Sequence, residues 1–349
     1  MKNLIRLRGV RTVKAGRLAV VAVAMAAGLA AGAGHADAAA PEVTPIRHPK
    51  LKEGLLTIEG SKRSDRLTLR LEAGDPGVIQ LDVGNDGSAD YDFARRDVAR
   101  IEIAAADGDD LVGIDESNGS FSDVPTTIDG GPGADSLAGG SGAELLLGGD
   151  GNDSIDGNRG NDVAFMGAGD DTFVWDPGDG SDVVEGQEGA DTMLFNGAGG
   201  PEQVDLSANG NRLRFFRTQA TITMDTRSVE RVDFNALGGA DTVTVNDLTG
   251  TDVTSVNVDL AGAIGGSAGD GSADRVVVNG TNGNDTIDVS GDAGGVKVNG
   301  LAATIGVLHS EGASDRLEIN TLAGAADTVA RGGLAPGAVQ LIVDGALVP

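Results

Sequence analysis

Between Gly130 and Leu194 a nine-residue unit recurs seven times: GGPGADSLA, GGSGAELLL, GGDGNDSID, GNRGNDVAF and MGAGDDTFV, then, after Trp175 and Asp176, PGDGSDVVE and GQEGADTML. Glycines at the second and fourth places (Gly131, Gly133, Gly140, Gly142, Gly149, Gly151, Gly160, Gly167, Gly169, Gly178, Gly180, Gly189) give the backbone access to the positive φ angles of a tight turn. The sixth place carries a carboxylate aimed into that turn: Asp135, Glu144, Asp153, Asp162, Asp171, Asp182 and Asp191. The eighth place is apolar in every unit (Leu137, Leu146, Ile155, Ala164, Phe173, Val184, Met193), mostly between polar neighbours, which is the period-two signature of a short half-buried strand. Turn and strand in strict alternation stack into a solenoid. A disordered Gly/Asp-rich linker has no reason to hold an apolar residue at one phase.

The stretch resembles the hemolysin-type calcium-binding repeats of the RTX family, over about a fifth of the chain. The resemblance implies a parallel β-roll in which two nonapeptides make one coil and calcium ions lie between loops on the same side. It pairs Asp135 with Asp153, Glu144 with Asp162 and Asp153 with Asp171, then, past Trp175 and Asp176, Asp162 with Asp182 and Asp171 with Asp191. Five sites follow. Carboxylate and carbonyl oxygens suit a hard cation such as Ca2+, and the stretch has neither Cys nor His to favour zinc. Glu144 for Asp, Asn158 and Gln187 for glycine, and Met166 for a first-place glycine depart from the pattern, and the Glu144 site departs most.

Charge points the same way. Residues 1–38 carry six basic residues, an apolar run from Leu18 to about Ala31 and the small-residue motif Ala36-Asp37-Ala38, and read as a secretory signal peptide cleaved after Ala38. The run is short for a membrane anchor. Six of the 26 basic and one of the 53 acidic residues leave with it, so the remaining chain holds 20 against 52, a net charge of −32. The repeat stretch alone has 14 acidic residues against Arg159. Such a chain is unsuited to nucleic acid and anionic membranes, and is expected to be secreted, extracellular and a partner of calcium ions, with a cell-surface or matrix partner unspecified. No apolar segment long enough for membrane insertion follows the leader.

Residues 39–52, with Pro41, Pro45 and Pro49, read as a linker. Residues 53–128 and 195–349 are successions of short β-branched runs between Gly, Asn and Asp turns, so the expected fold is all-β: a parallel β-roll over 129–194 flanked by further solenoid coils or, alternatively, small β-sandwiches. Few aromatics (3%) and 56 glycines suit aliphatic ladders of short strands better than a helical globule. DGDDLVGI at 107–114 is a degenerate half-repeat, and LGGADTV at Asp241 a repeat-like turn. GTNGNDTID around Asp285 matches the unit well, which adds Asp285 to the expected metal ligands; Asp274, Asp315 and Asp327 are weaker echoes. DVGNDGSAD, with Asp82, Asp86 and Asp90, reads as a turn, since Gly84 and Phe93 stand where an EF-hand needs ligands.

Catalytic groups are scarce. There is no HExxH pair, and the GxSxG string Gly265–Gly269 lacks the helical pattern that a nucleophile elbow requires after it. Sixth-place carboxylates recur in every unit, so periodicity accounts for their pairing without a glycosidase site. The expectation is a non-enzymatic calcium-stabilised solenoid with a structural, surface or adhesive role; the alternative is a secreted hydrolase carrying the roll as a folding module.

Overall fold

The computed structural model describes residues 46–292 and 294–348; residues 1–38, read above as a signal peptide, lie outside them. Through the repeats the chain passes back and forth between two sheets, leaving one strand in each per coil. Thr126–Pro132, Leu145–Asp150, Val163–Ala168 and Val183–Glu188 enter the first sheet. Ser136–Ala138, Ser154–Asp156, Thr172–Trp175 and Thr192–Asn196 enter the second. All are parallel to their neighbours, and the register is the repeat itself: Leu146 lies opposite Ile128 and Ala164, and Ile155 opposite Leu137 and Phe173. Each coil therefore takes two nonapeptides. Where Trp175 and Asp176 are added, Phe173 still meets Met193 and Ala164 still meets Val184.

The seven eighth-place side chains are all buried, forming the ladder between the two sheets. The added Trp175 also turns inward, stacks on Phe195 with ring centres 4.0 Å apart, and donates from Nε1 to the Gly180 carbonyl at 2.9 Å. Phe215 and Phe234 extend this aromatic plug. The extra residues thus widen one coil, and the larger ring fills it.

The flanks are more of the same solenoid rather than sandwiches. Strand Arg100–Ala104 pairs in parallel with Thr126–Pro132, and Thr192–Asn196 with Arg231–Asn235, so the junctions expected at 128/129 and 194/195 fall inside strands. The sheets reach 15 and 14 strands because antiparallel strands are spliced into them. Arg66–Glu72, Asp75–Val83 and Tyr91–Ala94 widen the second sheet early in the chain, and Gln203–Asn209, Arg212–Arg217 and Ile222–Arg227 widen the first. Thr286–Asp292, Gly295–Asn299 and Thr304–Leu308 widen the second again. One apolar core runs from Ile46 to Leu341.

The linker reading needs correction from Ile46 onward. Ile46 is buried in the core, and Lys50–Lys52 forms an antiparallel hairpin with Leu55–Glu59. An apolar anchor among the prolines outweighs their preference for extended, solvated chain.

Candidate metal sites in the loop stack

The turns between strands stack along the solenoid edges, and their sixth-place carboxylates form rungs. The Asp135 N–H donates to Asp153 Oδ1 at 2.7 Å, Asp153 N–H to Asp171 Oδ1 at 2.7 Å and Asp171 N–H to Asp191 Oδ1 at 3.0 Å. On the opposite edge Glu144 N–H donates to Asp162 Oδ1 at 2.6 Å and Asp162 N–H to Asp182 Oδ1 at 2.8 Å. All five expected pairs are thus neighbouring rungs. The contact within each is carboxylate to main-chain N–H, which leaves the second oxygen to be accounted for.

That oxygen has no partner on Asp135, Asp153, Asp162, Asp171, Asp182 and Asp191, though all six residues are at most 3% exposed. A buried acceptor left unsatisfied costs about 1–3 kcal/mol, more when charged. Burial, opposed in part by the rung hydrogen bond, pushes the carboxyls of Asp153 and Asp182 up to about 7, Asp162 to about 8 and Asp191 to about 6; neighbouring acids push the same way. Asp135 and Asp171 are raised for the same first reason. These groups require a cation or a proton.

Whether the second oxygen is free depends on the residue four places earlier. Where the second place has positive φ, as at Gly131, Gly149, Asn158, Gly167, Gly178 and Gln187, its N–H makes no bond to the sixth-place carboxylate. Asn158 and Gln187 keep this conformation without being glycine, so these two departures preserve the loop. Gly140 does not have positive φ, and its N–H donates to Glu144 Oε2 at 3.0 Å. The longer glutamate closes its own loop. Positive φ expected at Gly140, Gly142 and Gly180 is therefore not found; Gly180 is required instead for close approach, since a Cβ there would lie 1.2 Å from the Gly160 carbonyl oxygen.

Close approach also governs the other glycines. A Cβ on Gly149 would lie 2.1 Å from Gly131 O, and one on Gly151 would lie 1.8 Å from Gly133 O. Gly133, Gly160, Gly169 and Gly189 share the positive φ of Gly151. Beside the first-place Gly148 a methyl would meet both the unpartnered Asp153 Oδ2 at 2.5 Å and the Met166 carbonyl oxygen of the next coil at 2.1 Å. Gly130 leaves the same space between Asp135 Oδ2 and Gly148 O. Among the described residues no three His, Cys, Asp or Glu side chains gather as a metal group. The donors on offer are one carboxylate per loop plus carbonyls, all hard oxygen, which fits calcium.

Residues 127–143, 138–173 and 178–197 match the RTX calcium-binding nonapeptide repeat, in four copies. The segment is an RTX repeat array. No curated protein matches the chain. The RTX match ends at Asn196-Gly197, and the solenoid continues on both sides of it.

Upstream of the RTX match, Asp110 belongs to the same column: its N–H donates to Asp135 Oδ1 at 2.7 Å and its own Oδ2 is buried and unpartnered. Ala106, four places earlier, has φ +81°, so this loop is open like those of the array. Sequence reasoning recognised the half-repeat but not the site. The signal was Asp110 followed by Leu111 and the buried Val112, with alanines in place of the first two glycines.

Asp285 differs from the array although its local sequence matches well. Its Oδ2 accepts the Thr281 N–H at 2.7 Å and its Oδ1 the Thr281 hydroxyl at 2.9 Å, so its loop is closed. The Asp82–Asp90 segment is a turn: Asp82 is ion-paired to buried Arg70 at 2.8 Å and accepts the Asp86 and Gly87 N–H groups. Gly265–Gly269 lies in a loop closed by an isolated bridge between Ala261 and Gly269, and His309 Nδ1 meets Asp259 Oδ1 at 2.6 Å.

Proposed function

We propose that this calcium-binding repeat protein is a secreted, non-enzymatic solenoid with a structural, surface or adhesive role, whose RTX segment at neutral pH folds only when calcium is bound. One observation carries the reading: two columns of buried carboxylates along the array, in which every rung but Glu144 has an oxygen that no protein group satisfies. Without ions the segment has a net charge of −13, from 14 acidic residues and Arg159, and little apolar surface to offset its ordering. At about 1 mM calcium and a dissociation constant of about 0.1 mM, each site contributes roughly 1.4 kcal/mol by mass action. Several such sites together reach the scale of a whole domain's stability, about 5–15 kcal/mol. The chain would then remain unfolded where free calcium is low and fold where it is abundant, which suits export before folding. Among the described residues no helix is long and apolar enough to cross a membrane.

The role is tested by fractionating cells that express the chain. The reading expects the protein outside the cell, held at the surface or in the matrix and released by a calcium chelator. Retention in the cytosol, or turnover of ester, peptide or polysaccharide substrates by the purified protein, contradicts it.

A further inference from the structure

Beyond the RTX match the rungs continue at wider spacing. Glu202 N–H donates to Asp241 Oδ1 at 2.7 Å, Asp241 N–H to Asp274 Oδ1 at 2.8 Å, and Asp274 N–H to Asp315 Oδ1 at 3.1 Å. The two ends of this column are neutralised or closed from within. Glu202 Oε1 is held by the Arg217 guanidinium through Nε at 2.8 Å and through Nη2, although its Oε2 has no partner. Asp315 Oδ2 accepts the N–H of Glu311, four places earlier.

Asp241 has neither device. It is 2% exposed, its Oδ1 is used in the rung, and its Oδ2 is buried without a partner. Its loop is open in the same manner as those of the array: Leu237, four places earlier, has φ +67°, and Gly239 has φ +110°. Leucine is an unfavourable residue for that backbone region. The charged groups acting most strongly on Asp241 are Asp274, Glu202 and Asp270, and those on Asp274 are Asp315, Asp270 and Glu311. All are acidic. Asp270 is brought onto the Asp241 loop because its Oδ2 accepts the Gly239 N–H at 2.7 Å.

We propose that the Leu237–Asp241 loop, together with Asp270 and Asp274 of the following coil, binds a calcium ion outside the RTX array. The inference rests on the same reading of unpartnered sixth-place oxygens as ion ligands. Asp241 Oδ2 is the first ligand, and main-chain carbonyl oxygens of the two loops supply the remainder, a donor set for a hard divalent cation. The ion would stabilise the C-terminal coils separately from the roll.

The test counts calcium ions on the full chain without its leader by native mass spectrometry, for wild type, Asp241→Asn and Asp315→Asn. Asp241→Asn keeps the shape and the rung acceptor while removing the charge. The expected result is one ion fewer in Asp241→Asn and the wild-type number in Asp315→Asn, whose loop is closed. An unchanged count in Asp241→Asn overturns the proposal. If the roll itself binds nothing, the wild type loses the array's ions and the comparison still reports on Asp241 alone. Should Asp241→Asn fail to fold, wild-type crystals grown in calcium decide: an anomalous peak about 2.3–2.6 Å from Asp241 Oδ2 supports the site, and no peak there overturns it.

Discussion

The Gly140 N–H donates to Glu144 Oε2 at 3.0 Å, within a single loop. Its counterpart on the next coil, Asp162, has no such bond, because Asn158 at φ +57° makes none to the Asp162 carboxylate. The two rungs of one expected pair therefore differ in role. Asp162→Asn should lower the number of calcium ions bound and weaken the binding that remains, whereas Glu144→Gln should leave the number unchanged. Calorimetric titration measures both, and equal losses would show that loop closure does not decide ligation.

Ile155 is buried between Leu137 and Phe173, while its neighbour Ser154 is only half-buried and on the outer face. Ile155→Asp should cost several kcal/mol, since an unpaired charge enters the ladder, and Ser154→Asp under about 1 kcal/mol. Melting in saturating calcium compares them; similar melting temperatures would contradict the strand phase.

Gly151 and Gly178 separate two reasons for glycine. Both have positive φ, but a Cβ on Gly151 meets Gly133 O at 1.8 Å, whereas one on Gly178 meets nothing within 4 Å. Gly178→Ala should cost about 1 kcal/mol from backbone strain alone, and Gly151→Ala should cost at least twice that because the coils must part. Equal costs by chemical denaturation in calcium would rule out close stacking of the loops.

Acid should partly replace calcium. The carboxyls of Asp153, Asp162 and Asp182 are raised to about 7, 8 and 7 from an ordinary 3.8, chiefly by burial. Between about pH 4 and pH 8 the folded, calcium-free chain thus binds more protons than the unfolded one, so its stability falls as pH rises through that window. Ligation needs the ionised form, so calcium affinity changes in the opposite sense. In chelator the far-UV β-signal should drop from pH 5 to pH 8, and the gain on adding calcium should be larger at pH 8. A chelator β-signal that climbs over this range would contradict the assignment.

The roll was legible because a nine-residue period fixes phase: once Leu137 and Ile155 are aligned, register and core follow. The flanking coils were legible as strands, with solenoid coils expected and sandwiches as the alternative, since their rungs are separated by spliced hairpins or long loops and no constant spacing survives from Asp110 through Asp241 to Asp315. Open and closed loops could not be told apart by motif matching. Asp285 lies in a well-matched unit, yet Thr281 supplies both an N–H and a hydroxyl that close it. Ala106 and Leu237 open their loops without glycine, through a backbone angle the sequence does not display. The inserted Trp175 was visible as an offset, but its stacking on Phe195 depends on the room the wider coil makes.

The most direct measurement is far-UV circular dichroism of residues 39–349, titrated with calcium and, separately, with magnesium from a chelated start. Calcium in the range of about 0.1–1 mM should produce a cooperative gain of β-signal that magnesium at the same concentration does not. A spectrum already fully β-rich in chelator at pH 7.5, unmoved by calcium, would contradict the coupling of folding to the ion.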